Sequence, residues 1–214
     1  MRFIPNGPLS ALLLVLTLGL FSRTLADQPK LIVSIVVDQL RYDYLERLEP
    51  HFAKGGFRLL MDKGAFLTGA HYNYSPTVTG AGHASYLSGA PPSVHGIIGN
   101  DWIDKGSAKS INCVFDPNVE GVGSTGLSGK RSPRNFIGSN FADEIRLRFG
   151  SRVVGISLKD RGAILPAGKK PKGAYWFDSH SGQFSTSTFG PSRKLVLISR
   201  SFTRTPEALT PRQI

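Results

Sequence analysis

The 214-residue sequence has one cysteine, Cys113, so no disulfide can form within the chain and the fold does not rest on cross-links. It also lacks a long apolar run. The stretch from Leu9 to Phe21 counts thirteen residues, short of the roughly 20 that a spanning helix needs, and no later stretch is apolar for long enough. Acidic residues are scarce, 15 against 26 basic ones, which gives a net charge of +11. That excess of positive charge has no zinc-finger or RNA-binding motif beside it. The basic residues are scattered apart from short clusters such as Lys169-Lys170-Pro171-Lys172, which argues against a specific nucleic-acid binder. Attraction of small anions and a merely solvated basic surface both account for the charge. Internal repeats are lacking as well.

The N-terminus begins Met1-Arg2-Phe3, continues into the Leu9–Phe21 run, and reaches Thr24-Leu25-Ala26 before Asp27. A positive start, an apolar middle and small residues at the cut are the order of a secretory signal. Residues 1–26 are therefore expected to be a signal peptide, cleaved after Ala26, and the mature protein to be periplasmic or secreted without membrane contact. The thirteen-residue length argues against retention as an anchor.

The remaining chain alternates strand-like and helix-like segments, with enough apolar content to bury a core. Leu31-Ile32-Val33-Ser34-Ile35-Val36-Val37 is nearly continuous and β-branched, the pattern of a central parallel strand buried on both faces. A helical region is predicted from Tyr44 to Met61 with a break at Lys54-Gly55-Gly56, extended chain from Ala65 to Tyr74, and a second helix from about Gly80 to Leu87, closed by Ser88-Gly89. Residues from Cys113 to Pro133 are rich in Gly, Ser and Asn and read as a loop. Asn140 to Phe149 reads as an amphipathic helix, and Arg152 to Leu158 as another buried strand. Ala174 to Asp178 and Gln183 to Thr188 flank Ser179-His180-Ser181-Gly182 as a small β-hairpin. Strand, helix, strand in this order implies an open α/β sheet.

Ligands of open α/β sheets gather at the carboxyl ends of strands, and Asp38 ends the first one. A carboxylate there suits a metal, and it equally suits capping of the turn or helix that follows. In Ser75-Pro76-Thr77-Val78-Thr79-Gly80-Ala81-Gly82-His83-Ala84 a hydroxyl stands directly before a glycine-containing helix start. Unpaired amides and a partial positive charge at such a start suit a phosphoryl group. Threonine attacks only when a base or metal activates it, and Thr79 as a plain N-cap is the simpler alternative.

Val37-Asp38-Gln39, the Pro76–Ala84 segment, Gly89-Ala90-Pro91-Pro92-Ser93-Val94-His95-Gly96-Ile97 and Gly99-Asn100 together resemble the alkaline phosphatase superfamily. They are most similar to its threonine-nucleophile branch, which includes nucleotide pyrophosphatase/phosphodiesterases and the phosphate-irrepressible bacterial phosphomonoesterases. The resemblance runs from about Lys30 to Phe189. It implies the N-terminal part of a doubly wound, mostly parallel α/β sheet with helices on both faces, spanning residues 27–190. By resemblance, Asp38 is a zinc ligand, Thr79 is both a zinc ligand and the nucleophile that becomes phosphothreonine, and Asn100 bonds a non-bridging phosphate oxygen. His83 and His95 belong to the motif's scaffold. Leu158-Lys159-Asp160-Arg161-Gly162 is similar to the segment by which the phosphomonoesterases place a lysine and an arginine on the substrate phosphate. A monoester dianion carries one more charged oxygen than a diester, which Lys159 and Arg161 would compensate. In an extended segment residues two apart share a face, so that spacing is sensible. The implied mechanism uses two Zn²⁺ about 4 Å apart to activate Thr79 and stabilise the leaving oxygen. Small-molecule phosphate esters are the expected partners.

The sequence departs from the family in two places. Most zinc ligands of family members lie in a second half of the sheet that has no counterpart here, and His180, the only histidine after His95, reads as part of an exposed turn. The tail 191–214 is basic and stops resembling the family after Phe189-Gly190, as a frameshift would produce. The expectation is hydrolysis of phosphate monoesters by family, with this chain an incomplete, weakly active or inactive form. The alternatives are a phosphodiesterase or nucleotide pyrophosphatase, and a non-catalytic anion-binding fragment.

Overall fold

The computed structural model describes residues 29–124 and 126–190, so the expected signal segment 1–26 and the basic tail 191–214 lie outside the described residues. The chain divides into two compact units, one up to His51 and one from Phe52 onward.

In the first unit Leu31–Val37 belongs to no described helix or strand, and its side chains stand in solvent, with Leu31 77% and Ile35 76% exposed. The expected burial on both faces is therefore corrected. A central strand needs a hydrogen-bonded neighbour on each side and a covering layer, and neither described sheet counts this run among its strands. The run ends at a turn holding Asp38 and Gln39, the latter at φ 63. Helix α1 (Tyr42–Leu48) follows, with Asp43 in its first turn and Arg47 in its last, the signs that the helix dipole favours at each end. Asp43 meets Arg41 Nε at 2.9 Å in an exposed pair.

The second unit opens with helix α2 (Phe57–Lys63), after the predicted break at Gly55-Gly56. Residues 65–78 run without helix or strand. Helix α3 (Thr79–Ser88) ends where expected, at Gly89 with φ 66, and the short helix α4 (Pro92–His95) follows. A hairpin of β1 (Asp101–Ile103) and β2 (Ser110–Asn112) comes next, with Trp102 opposite Ile111; no reading of the sequence signalled it. The Gly-rich loop contains the two-residue strand β3 (Gly121–Val122), a 3-10 turn at Gly126–Gly129 and an isolated bridge between Phe115 and Arg131. Helix α5 (Phe141–Phe149), strand β4 (Val154–Ser157), helix α6 (Asp160–Ala167), and strands β5 (Gly173–Asp178) and β6 (Gln183–Ser187) complete the unit.

The α/β fold stands. The four-stranded sheet has the order β3-β6-β5-β4. β4 and β5 are parallel, with Ile156 opposite Tyr175, and are joined through α6 as a βαβ unit. β5 and β6 form the antiparallel hairpin that the sequence predicts, with Phe177 facing Phe184. Within the described residues the sheet is thus mixed, with one parallel and two antiparallel pairs.

Two readings of segments are revised. β4 was expected to be buried on both faces, but Val154 and Ile156 are exposed: they alternate with Gly155 and Ser157, which turn to α6, and so lie on the opposite face. The chain after Leu158 is not extended: Lys159 is the extended N-cap, at φ −113 and ψ 141, of a helix that already includes Arg161. Strand alternation therefore does not relate Lys159 to Arg161.

The core gathers Ala84, Ile97, Cys113, Val114 and Phe136 with Ala163, Ile164, Leu165 and Trp176. α6 lies almost flush on β4. A Cβ added at Gly155 would sit 2.1 Å from the Ala163 carbonyl oxygen, so only glycine permits this approach. Buried Asn140 ties two helix ends together. Its Oδ1 accepts from Asp143 N–H at 2.9 Å and caps α5, while its Nδ2 donates to Leu165 O at 2.8 Å and Pro166 O at 3.2 Å, at the end of α6. Losing the cap costs about 1 kcal/mol, and orphaning the carbonyls adds about 1–2 kcal/mol. Asn140→Ala should therefore lower stability by about 2–3 kcal/mol in urea unfolding followed by Trp176 fluorescence. Asn140→Asp, which keeps the cap but sets a carboxylate against two carbonyls, should also lose stability.

Candidate active site

Thr79 is the first residue of α3, after Pro76 and the extended Val78 at ψ 162 have set the chain's direction. No side chain of the N-cap residue satisfies the free amides of the first turn. Instead Gly80 N–H donates to Asn100 Oδ1 at 2.8 Å, a bond spanning twenty residues of sequence. Backbone contact here is very close. A Cβ at Gly80 would lie 2.6 Å from Gly99 O and 3.1 Å from Cys113 Sγ, so any larger residue would push the helix start away from Asn100. The bond also fixes the orientation of the amide. With Oδ1 turned to a backbone donor, the group that Asn100 can offer a ligand is its Nδ2 donor.

Lys159 reaches the same place from the end of β4. Its Nζ donates to Thr79 Oγ1 at 3.5 Å across 80 residues of sequence. Thr79, Asn100 and Lys159 are thus brought together at the N-terminus of one ten-residue helix, where the dipole adds a partial positive charge. Arg161 lies in the first turn of α6 with its side chain 18% exposed, and its Nη1 stands 3.5 Å from Asp160 Oδ1. The Nε of Arg161 is buried with no hydrogen-bond partner among the described residues, an orphaned cationic donor of the kind an anion would satisfy. Asp38 belongs to the first unit.

Both motif histidines hold the scaffold of this helix. His83 Nδ1 donates to the Thr79 carbonyl at 2.8 Å, one turn back. The ring of His95 accepts at Nδ1 from Ile97 N–H at 3.1 Å, so the proton rides on Nε2, which donates to Ser85 Oγ at 2.9 Å. Burial pushes the His95 pKa below its ordinary value and keeps the ring neutral. Burial also raises the Cys113 thiol to about 12, against the opposing pull of the Arg161 charge. Cys113 is therefore a packing residue beside Gly80 and not a nucleophile. His180 stands in the β5–β6 turn, exposed, with its N–H on Asp178 Oδ1.

Sequence reasoning passed over Asp160 and Arg131. Asp160 Oδ2 accepts from Arg131 Nε at 2.6 Å, and Oδ1 accepts from Arg161 N–H at 2.7 Å. The acid in the first turn of α6 was a readable helix-start signal. Its pairing with an arginine 29 positions earlier left no local trace.

Among the described residues no group of three or more His, Cys, Asp or Glu could hold a metal ion. They do not by themselves form the two-zinc centre that the resemblance implies. No helix among them is long and apolar enough to cross a membrane.

Residues 32–192 match the family described as type I phosphodiesterase / nucleotide pyrophosphatase. The chain belongs to that family. A relative in it is alkaline phosphatase PafA of Elizabethkingia meningoseptica, 47% identical over 175 residues, which are 80% of this chain and 32% of PafA. The crystal structure of wild-type PafA superposes with a TM-score of 0.77 at 46% identity, covering 82% of this chain and 34% of that one. A PafA variant substituted at a threonine, an asparagine, a lysine and an arginine gives 0.73 at 44% identity, covering 78% and 33%. The chain spans about a third of the length of the curated relatives it matches.

The state of His95 generates a pH dependence. A neutral buried imidazole binds fewer protons folded than unfolded, so its contribution is fully present above the ordinary value of 6.5 and is lost as the pH falls below it. Urea midpoints should be level from pH 8 to about 7 and decline toward pH 5. The decline should flatten in His95→Asn, whose Oδ1 can still accept from Ile97.

Proposed function

We propose that this chain supplies the nucleophile and the phosphate clamp of an exported phosphomonoester hydrolase that works through a phosphothreonine intermediate. The observation that carries the reading is the meeting of Lys159 Nζ with Thr79 Oγ1 at a helix N-terminus whose second amide is held by Asn100. The PafA variant of known structure is altered at the same four residue types, in the same chain order, as Thr79, Asn100, Lys159 and Arg161. Relatives that are alkaline phosphatases support phosphoester hydrolysis as the reaction class.

The roles follow from charge and geometry. Thr79 Oγ1 gives up its proton to solvent and forms the new bond to phosphorus while the bond to the ester oxygen breaks. That oxygen takes a proton from water and leaves as the alcohol, and a second water later cleaves the phosphothreonine to phosphate and the free hydroxyl. Lys159 is a cation, so it takes no proton from the hydroxyl. It stabilises negative charge on Thr79 and on the transferring group. Asn100 Nδ2 donates to a non-bridging oxygen. Arg161 adds a second cation, and with Lys159 it matches the dianion of a monoester better than the single charge of a diester. Zinc with Asp38 and Thr79 among its ligands is part of the same proposal and requires donors besides those described.

The family description names phosphodiesterases, which favours a second reading in which diesters are the substrate. Aryl phosphate and its methyl ester, offered to the purified chain with zinc, separate the two. The monoesterase reading expects slow turnover of the aryl phosphate, acid-stable phosphate on Thr79, and none on Thr79→Ala. Lys159→Ala should lower monoester turnover by about tenfold or more and diester turnover much less. Turnover that survives Thr79→Ala would sink the nucleophile assignment, and a methyl ester cleaved faster than the monoester would move the chain to the diesterases. Phosphate affinity in calorimetry that is unchanged by chelator, with no turnover under any condition, would identify a non-catalytic anion-binding fragment.

A further inference from the structure

Arg161 is held from behind by a chain of contacts that reaches the far side of the sheet. Its backbone N–H and its Nη1 both face Asp160 Oδ1, at 2.7 and 3.5 Å. The other carboxylate oxygen of Asp160 takes Arg131 Nε at 2.6 Å. Arg131 is itself fixed: its Nη1 donates to Leu127 O at 3.0 Å and Lys130 O at 3.3 Å, its backbone bridges Phe115, and its carbonyl accepts from Ser187 Oγ on β6. The three charged side chains are only 15%, 14% and 18% exposed for Arg131, Asp160 and Arg161.

Counting charge over this cluster leaves one positive unit without a partner, since two guanidinium groups share one carboxylate. Asp160 is engaged by Arg131 through its better hydrogen bond, so Arg161 is the arginine left under-compensated, and its buried Nε is orphaned. Desolvation makes that residual charge expensive unless an anion meets it. An ion pair serving stability alone would balance its charges and satisfy its donors.

We propose that Arg131 and Asp160 are positioning residues that orient the Arg161 guanidinium toward the non-bridging oxygens of a phosphate monoester. This rests on the functional reading above and extends it to two residues outside the clamp. Arg131 anchors the Asp160 carboxylate to the β6 side of the unit, the carboxylate fixes the head of Arg161, and the cluster presents its spare positive charge to a dianion.

The test uses the full chain and inorganic phosphate as the probe in titration calorimetry, with thermal unfolding as a control. Arg161→Ala should weaken phosphate binding by about tenfold. Arg131→Leu should weaken it by about threefold to fivefold, and that effect should vanish when Arg131→Leu is placed in the Arg161→Ala background. Asp160→Asn, which keeps the shape of the side chain and loses its charge, serves if Arg131→Leu does not fold, and should show the same non-additivity. Arg131→Lys should recover part of the affinity. If Arg161→Ala weakens binding while Arg131→Leu and Asp160→Asn leave it unchanged, or if their effects add fully to that of Arg161→Ala, the positioning role is overturned and the clamp stands. If Arg161→Ala itself leaves phosphate affinity unchanged, the clamp reading fails and the positioning role fails with it.

Discussion

The site depends on how closely the start of α3 approaches the backbone at Gly99 and Asn100. With no Cβ at Gly80, the helix amide comes within 2.8 Å of the Asn100 side chain. One short contact does three things. It satisfies an amide that the helix cannot satisfy itself, it orients Asn100 with its donor outward, and it seats the Gly80 backbone against the core residue Cys113. His83 and His95 then brace the helix along its length, one through the Thr79 carbonyl and the other through Ser85.

The second half of the proposed clamp arrives by a different route. β4 delivers Lys159, and α6 begins one residue later. Packing of α6 against β4, permitted by Gly155, and the two hydrogen bonds that Asn140 Nδ2 donates to the carbonyls of Leu165 and Pro166 fix that helix at both its flank and its end. Lys159 and Arg161 therefore inherit their positions from core packing and not from loop conformation, which suits groups that must meet charge in a defined direction.

Much of this was legible in the sequence, and the limits have physical causes. The Pro76–Ala84 segment could be read because a helix N-terminus is encoded locally, by a proline, a hydroxyl and a glycine in sequence. The β5–β6 hairpin could be read for the same reason, since alternation and a four-residue turn are local signals. Burial was not legible. The β-branched run at Leu31–Val37 favours an extended backbone, but whether that backbone is covered depends on partners that its own residues do not specify. The start of α6 was missed because Gly162 and Pro166 weigh against a helix, although Asp160 marks its first turn. Arg131 was invisible, since an ion pair between a glycine-rich loop and a helix 29 residues later leaves no pattern.

β4 carries one further implication. Among the described residues its backbone is bonded to β5 along one side only, and the strand leads through Ser157 and Leu158 into Lys159. Any strand that zipped onto that open margin would stiffen the very residues from which the lysine is launched. If Lys159 grips phosphate as proposed, completing the sheet would also firm that grip, because the lysine would then be carried by a strand bonded on both sides.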